Sequence, residues 1–412
     1  MNPADGTGQG PTPATPKRLA LFFDGTWNEP GDNTNVWRLY LMVADQGPDG
    51  MRQLKYYNAG VGTHWYDRLT GGAFGAGLPE NVREGYRWLM ENYNDGDEIL
   101  LFGFSRGAFT ARGLVGLIAR CGLLKPDAPM SFMQLFERYQ RGDKATPIYD
   151  LRYFKRKPDS ELDFEERVLV HHAWFRPQMI KMVGVWDTVG SIGVPFGNIP
   201  GVSRRTLSFI NTNLSTVVAH SYHALALDEQ RQPYWAVLWT TFEPIPPEGD
   251  ATARAKRCFI EQRWFSGAHA NVGGGYRSDL LPNRPLKWIY DKSVKCGLAF
   301  RCAFEITDED YKTKPVDSYA LFLGGLWKVL TFGRRYIRWV QSDPVLKAKG
   351  RVRTVNERID WSIFERWKRD TTYRPASLRE WAGRKKLDVT AIVANPGQFE
   401  RLWAPVSSPG IE

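Results

Sequence analysis

The sequence has only four cysteines, Cys121, Cys258, Cys296 and Cys302. No two form a C-x-x-C pair and no metal spacing includes them, so neither a disulfide framework nor a zinc site is expected. The thiols should be free, as in a reducing compartment. No secretory leader is expected either: Met1 to Pro16 is polar, rich in Pro, Gly and Thr, and reads as a disordered tail. The chain is therefore expected to be cytoplasmic as synthesised, with export left to a route that reads no signal peptide. No apolar run is long enough to span a bilayer. No repeat appears at solenoid or propeller periods. The glycine-rich Gly71-Gly72-Ala73-Phe74-Gly75-Ala76-Gly77 lacks the Lys-Ser/Thr of a phosphate loop and follows no strand directly. A flexible loop near the site is expected there rather than a nucleotide cradle.

Positive charge is in excess, with a formal net charge of +10, but no single block holds it. The denser spots are Arg152 to Lys157, Arg334 to Arg338 and Lys347 to Arg353. Such a surface suits an anionic partner, either phospholipid or nucleic acid. No recognised nucleic-acid motif is present, so nucleic acid is not expected.

What is present is ordinary globular material with one informative stretch. Hydrophobic residues make up 42% and aromatic residues 13%, with 16 Trp, enough for a large core and for an aromatic-lined site. The informative stretch runs from Asp97 to Gly116. Ile99-Leu100-Leu101-Phe102 reads as a strand buried on both faces. Gly103-Phe104-Ser105-Arg106-Gly107 follows, a G-x-S-x-G. Ala108, Ala111, Leu114, Val115 and Ile118 then recur at helical spacing. Strand, glycine turn and helix together make a nucleophile elbow. Ser105 is the candidate nucleophile. The backbone N–H of Arg106, at the helix start, is a candidate oxyanion donor. The Arg106 guanidinium suits either a phosphate or a buried carboxylate.

Around the elbow the pattern is β-α-β-α-β-α. Arg18 to Phe23 reads as the first strand, ending in Asp24-Gly25-Thr26. That loop stands where a second oxyanion donor belongs, with Gly25 and Thr26 as candidates and a plain Asx turn at Asp24 as the alternative. Thr34-Asn35 caps a helix. Leu54 to Tyr57 is a second strand, and Pro79 is read as the start of a helix leading to the elbow strand. This order implies a mostly parallel sheet covered on both faces. Further strands are expected at Met179 to Trp186, Trp235 to Thr240 and Cys258 to Phe265, the last taken as the final core strand. A helix is expected over Leu214 to Leu227. Residues 1–16 apart, the chain is expected to form a single α/β domain over 17–412, with helical insertions at about 125–178 and 285–385.

A serine nucleophile needs a base and a carboxylate to orient it, and on this kind of sheet they follow in the order Ser, acid, His. Of six histidines, His64 precedes the elbow, His171 and His172 lie in the insertion, and His220 and His223 fall in the expected helix. His269 alone follows a buried strand in a glycine-rich loop, so it is the candidate base. Asp187, just past another strand, is the candidate acid, and Asp228 is the alternative. His220 and His223 are spaced i, i+3 with Asp228 nearby, but no third ligand stands at motif spacing, so no metal or other cofactor is expected.

The segments LALFFDGTWN, GFSRGAFTAR, VGVWDTVGSIG, HALALDEQRQPYW and WFSGAHANVGGGY together resemble a large bacterial α/β-hydrolase family that includes the catalytic domain of type VI secretion phospholipase effectors. The resemblance runs from Leu19 to about Tyr276. It implies an α/β-hydrolase fold and a Ser-Asp-His hydrolase of lipid esters, with Ser105, Asp187 and His269 on the matching motif positions. Beyond it, the apolar Tyr319 to Phe332, followed by Arg334, Arg335 and Arg338 with interleaved aromatics, suits either an interfacial helix on anionic lipid or a helix packed on the sheet. Trp361, Phe364 and Trp367 mark a further amphipathic helix for the core. The expectation is a phospholipase- or lipase-like serine hydrolase acting through an acyl-enzyme. The alternative is a catalytically silent α/β-hydrolase-like binding module at anionic membranes.

Overall fold

The structure is a computed structural model. It describes residues 15–25, 32–60, 73–189, 217–244, 258–307, 311–347 and 350–403. Its centre is a sheet of seven strands, all parallel. In chain order they are β1 (Arg18–Phe23), β2 (Gln53–Asn58), β3 (Glu98–Phe104), β4 (Ile180–Trp186), β5 (Val218–Ala226), β6 (Phe259–Phe265) and β7 (Glu357–Ile359). Their spatial order is β2-β1-β3-β4-β5-β6-β7, so the chain leaves β1 toward one edge, returns past it and then runs steadily to the other.

The alternation of side chains along each strand divides the core between the two faces. From β1, Leu19, Leu21 and Phe23 enter one apolar cluster, while Ala20 and Phe22 enter the other. From β3, Ile99 and Leu101 join the first, and Leu100, Phe102 and Phe104 the second. The helices Asn35–Met42 (α1) and Asn283–Lys295 (α5) cover the second face through Val36, Leu39, Leu286 and Ile289. Ala73–Asn92 (α2) and Arg106–Cys121 (α3) cover the first through Val82, Tyr86, Leu89, Ala111, Leu114 and Ile118. Thr34 caps α1 by accepting from the Trp37 N–H. A third cluster packs the helix Trp361–Arg369 (α6), including Phe364, against β7 and the segments that follow it.

Several expectations need correction. Leu214 to Leu227 is not a helix where it is described: Val218–Ala226 is the strand β5, and all nine of its residues are buried. Packed between β4 and β6 with both faces covered, it shows no period-two alternation. His220 and His223, three apart on a strand, point to opposite faces and cannot share a metal ion. No cluster of metal-ligating side chains occurs among the described residues. The strand expected at Trp235 to Thr240 lies at Thr240–Pro244 instead and pairs antiparallel with Gly350–Thr354, outside the main sheet. Cys258 to Phe265 is not the last core strand, because β7 extends the sheet beyond it. Helix α2 begins at Ala73 rather than Pro79, so the later part of the glycine-rich stretch is helical backbone, not loop. The run from Tyr319 to Phe332 is broken into short turns of helix, with Gly324 and Gly325 at φ +64° and +91°. His64 and most of the Met1 to Pro16 tail lie outside the described residues.

No helix among the described residues is long and apolar enough to cross a membrane. The four cysteines are unpaired.

Candidate active site

The site forms where β3, β4, β5 and β6 end. Ser105 sits between β3 and α3 with φ 57° and ψ −120°, a conformation most side chains avoid. Three features impose it. The Ser105 N–H donates to the Trp186 carbonyl at 3.0 Å, continuing the sheet one residue past β3. A Cβ at Gly103 would lie 2.5 Å from the Gly107 carbonyl oxygen. A Cβ at Gly107 would collide with the carbonyl oxygens of Phe23 and Asp24. The two glycines of the G-x-S-x-G are thus demanded by the close approach of α3 to the ends of β1 and β3.

His269 opens a short helix, His269–Gly273 (α4), after the turn that follows β6. That turn needs Gly267 at φ +114°, and the Gly267 N–H donates to Asp228 Oδ2 at 2.7 Å. The His269 ring lies against Phe104, 4.6 Å between centroids, and meets Tyr234 edge-on at 5.0 Å. Its Nε2 is 2.8 Å from Ser105 Oγ, and its Nδ1 is 2.6 Å from Asp187 Oδ2. Exposure falls along this line: Ser105 9%, His269 6%, Asp187 0%. Only the serine end is open to an incoming substrate.

Asp187 follows β4 and also sits at positive φ, 36°. Its N–H donates to the Ala224 carbonyl at 2.7 Å, and its Oδ1 accepts from the Ala226 N–H at 2.9 Å. Burial works to raise its pKa. The Arg338 guanidinium and the His269 ring outweigh burial and hold the carboxyl well below the usual carboxylate range. Burial pushes the His269 imidazole below its ordinary value, with Asp187 opposing. The ring is therefore neutral at physiological pH, able to accept a proton at Nε2 while Nδ1–H donates to Asp187.

Asp228, the alternative acid, follows β5 and faces elsewhere. Its Oδ2 accepts from Gly267 N–H and from the Tyr373 hydroxyl at 2.9 Å. Burial pushes it up to about 6. It supports the turn that carries His269 rather than touching the ring.

The second oxyanion position divides. Gly25 N–H donates to its neighbour Asp24 Oδ1 at 2.7 Å, the Asx-type turn. Asp24 also accepts from the hydroxyls of Tyr57 and Thr34, which ties this loop to β2 and α1. Thr26 lies outside the described residues. Arg106 starts α3 half-buried, and desolvation pushes its guanidinium down to about 10.

Sequence reasoning missed a shell of charge around His269. Glu229 Oε2 accepts from the His269 N–H at 3.2 Å and from Arg231 at 2.7 Å. The Arg231 guanidinium lies 3.6 Å over the Tyr234 ring. The signal was present in HALALDEQRQPYW, where a charged pair follows directly on an apolar run. Arg338 was missed as well, and nothing local marks it.

An all-parallel sheet carrying a serine at a strand-to-helix elbow, with a histidine and an aspartate from the ends of later strands, defines the α/β-hydrolase fold. Within that class the catalytic-domain model of the Tle1-like phospholipase effectors of type VI secretion matches residues 17–292. That is more than half of the chain, and the protein belongs to this family. It is also 28% identical over 320 residues to the uncharacterised protein YEL023C of Saccharomyces cerevisiae, covering 67% of this chain and 43% of the yeast protein. The chain thus spans less than half the length of that relative. Among solved structures, an uncharacterised protein from Pseudomonas aeruginosa aligns at a TM-score of 0.42 and 15% identity, over 96% of this chain and 65% of its own. The Tle1 effector bound to the VgrG spike aligns at 0.36 and 14% identity, over 67% of this chain and 56% of its own.

Proposed function

We propose that the protein is a serine hydrolase that cleaves carboxylic esters of lipids, in the manner of a phospholipase or lipase. The observation that carries this reading is the unbroken line from Ser105 Oγ to His269 Nε2 at 2.8 Å and from His269 Nδ1 to Asp187 at 2.6 Å. In this reading His269 takes the Ser105 proton as Oγ attacks the ester carbonyl, and Asp187 stabilises the imidazolium that forms. The Arg106 N–H at the start of α3 receives the developing oxyanion, with Thr26 as the proposed second donor. His269 then returns the proton to the leaving alcohol. Water, activated by the same imidazole, releases the acyl group from Ser105 and restores the free enzyme.

The substrate class is drawn from the family and from an apolar surface beside the site. Phe322 meets Tyr234 edge-on at 5.8 Å, and Tyr234 packs on His269. Next to Phe322 the chain exposes Leu321, Leu326, Val329, Leu330 and Phe332, the last 91% exposed. Lys328, Arg334 and Arg335 lie among and just beyond them. Apolar side chains flanked by cations fit peripheral contact with an anionic membrane, not packing into the core.

The test is a fluorophosphonate probe together with a panel of short esters, triglycerides and phospholipids. Ser105 should be labelled, and Ser105→Ala should abolish labelling and hydrolysis, a loss on the order of 10⁴-fold or more. Labelling that survives the substitution would place the nucleophile elsewhere. A folded wild-type protein that is neither labelled nor active would leave the binding-module reading in its place.

A further inference from the structure

Arg338 lies beyond the residues matched by the family model, in the same segment as the exposed apolar side chains. Yet its side chain is only 1% exposed and ends on Asp187. Its two terminal nitrogens reach the two carboxylate oxygens separately, Nη1 to Oδ1 at 2.5 Å and Nη2 to Oδ2 at 3.0 Å. Nη1 also donates to the Ala226 carbonyl at 2.7 Å, and Nη2 to the Tyr234 carbonyl. One guanidinium thus joins the loop after β4, the end of β5 and the turn bearing the ring that packs on His269.

We propose that Arg338 is a positioning residue for the hydrolytic site, its planar fork setting the rotation of the Asp187 carboxylate so that Oδ2 faces His269 Nδ1. The inference rests on the hydrolase reading above. Asp187 occupies a left-handed backbone conformation, which persists only where surrounding groups over-determine it. Its carboxylate has four donors: Ala226 N–H, the two Arg338 nitrogens and the His269 ring. Without the fork, Oδ1 keeps one bond and the plane of the carboxylate is no longer fixed. A bidentate site of this kind is not served by lysine, which offers a point charge.

The charged and titratable groups facing Asp187 are Arg338, His269 and, from β5, His223. Those facing His269 are Asp187, Glu229, Arg231 and the Ser105 hydroxyl, with the Tyr234 ring packed edge-on against it. Removing the Arg338 charge leaves Asp187 freer to stabilise an imidazolium. The acidic limb of the pH–rate profile therefore moves to higher pH.

The experiment measures kcat, KM and the pH profile on a soluble p-nitrophenyl ester, with the rate of fluorophosphonate labelling of Ser105 alongside. Arg338→Met is expected to lower kcat roughly 10²-fold, as slight misplacement of a reacting group does. KM should stay within about a factor of three, since no ground-state contact is lost. The acidic limb should rise by about one pH unit. Guanidinium ion in solution should restore part of the kcat of Arg338→Ala and none of that of Ser105→Ala. If Arg338→Met does not fold, Arg338→Lys carries the test: it keeps the charge without the fork, and a roughly 10-fold loss of kcat is expected. A folded variant with wild-type kcat and an unmoved acidic limb overturns the proposal. So does a loss of kcat in the charge-removing variants Arg338→Met and Arg338→Ala with an unmoved limb and no rescue, which is what a purely structural role gives. Failure of the probe to label wild-type Ser105 would instead overturn the hydrolase reading itself.

Discussion

Asp187 and Asp228 end neighbouring strands of one sheet, both carboxyls are buried, and they are opposites. Asp187 has a guanidinium against it and the His269 ring beside it, and stays ionised. Asp228 has a backbone N–H and a tyrosine hydroxyl, with no partner for its Oδ1, and burial pushes it up to about 6. Burial acts on both in the same direction; Arg338 in direct contact helps outweigh it at Asp187, whereas Arg366 and Arg338 lower Asp228 without outweighing it. The lesson is that position after a strand nominates an acid but does not select one. The guanidinium against Asp187 comes from 151 residues away.

The sharpest way to break the contrast is exchange of each carboxyl for an amide. Asp187→Asn should cost about 10³- to 10⁴-fold in kcat, because the ring loses the acceptor that fixes its tautomer. Asp228→Asn should leave kcat within about five-fold, as Asp228 supports a turn and touches no reacting group. Comparable losses from the two would erase the distinction. In a stability titration the two should move in opposite directions. The Asp187 pKa is depressed on folding, so its contribution is present above the unfolded value and fades as pH falls through about 4 and below. The Asp228 pKa is raised on folding, so its ionisation costs stability as pH rises from about 4 through 6, and acidification relieves that cost. Urea unfolding of Asp228→Asn should therefore lack the gain in stability that the wild type shows between pH 7 and pH 5. Tyr373→Phe removes one donor from Asp228 and should cost about 1 kcal/mol in the same assay, with kcat unchanged. The smallest effect should come from Phe332→Ser, at an exposed side chain: no change on a soluble ester and a few-fold loss of sedimentation with anionic vesicles. Equal retention of the variant on those vesicles would remove Phe332 from the proposed membrane-contact surface.

How much of this was legible depended on whether the determining forces were local. Strands β1, β3 and β4 are largely apolar runs closed by turn residues, and they were readable for that reason; β6 has apolar ends around Glu261-Gln262-Arg263 and a glycine turn after it. So was the elbow, because Gly103 and Gly107 are required by contacts that the motif itself brings together. Ser105, Asp187 and His269 could be nominated because chain order and strand ends are visible in the sequence. Strand β5 could not be recognised: VAHSYHALA mixes small, polar and aromatic residues, and only its neighbours make all of them interior. Strand β7 has three residues and pairs only because β6 offers an edge. The choice between Asp187 and Asp228 stayed open for the same kind of reason. Arg338 could not be found at all, since an arginine among other arginines gives no sign that it will be buried.

Strand β5 has one more consequence, for the order in which the molecule is made and matures. It stands between β4 and β6, so Asp187 and His269 meet only across a strand that must already be in place. Ser105 and His269 are 164 residues apart in the chain. A partly folded chain holding β1 to β4 would have Ser105, its elbow and Asp187, but not His269. Under the roles proposed above, hydrolysis reports finished folding, and refolding followed by return of activity should lag behind refolding followed by helix content.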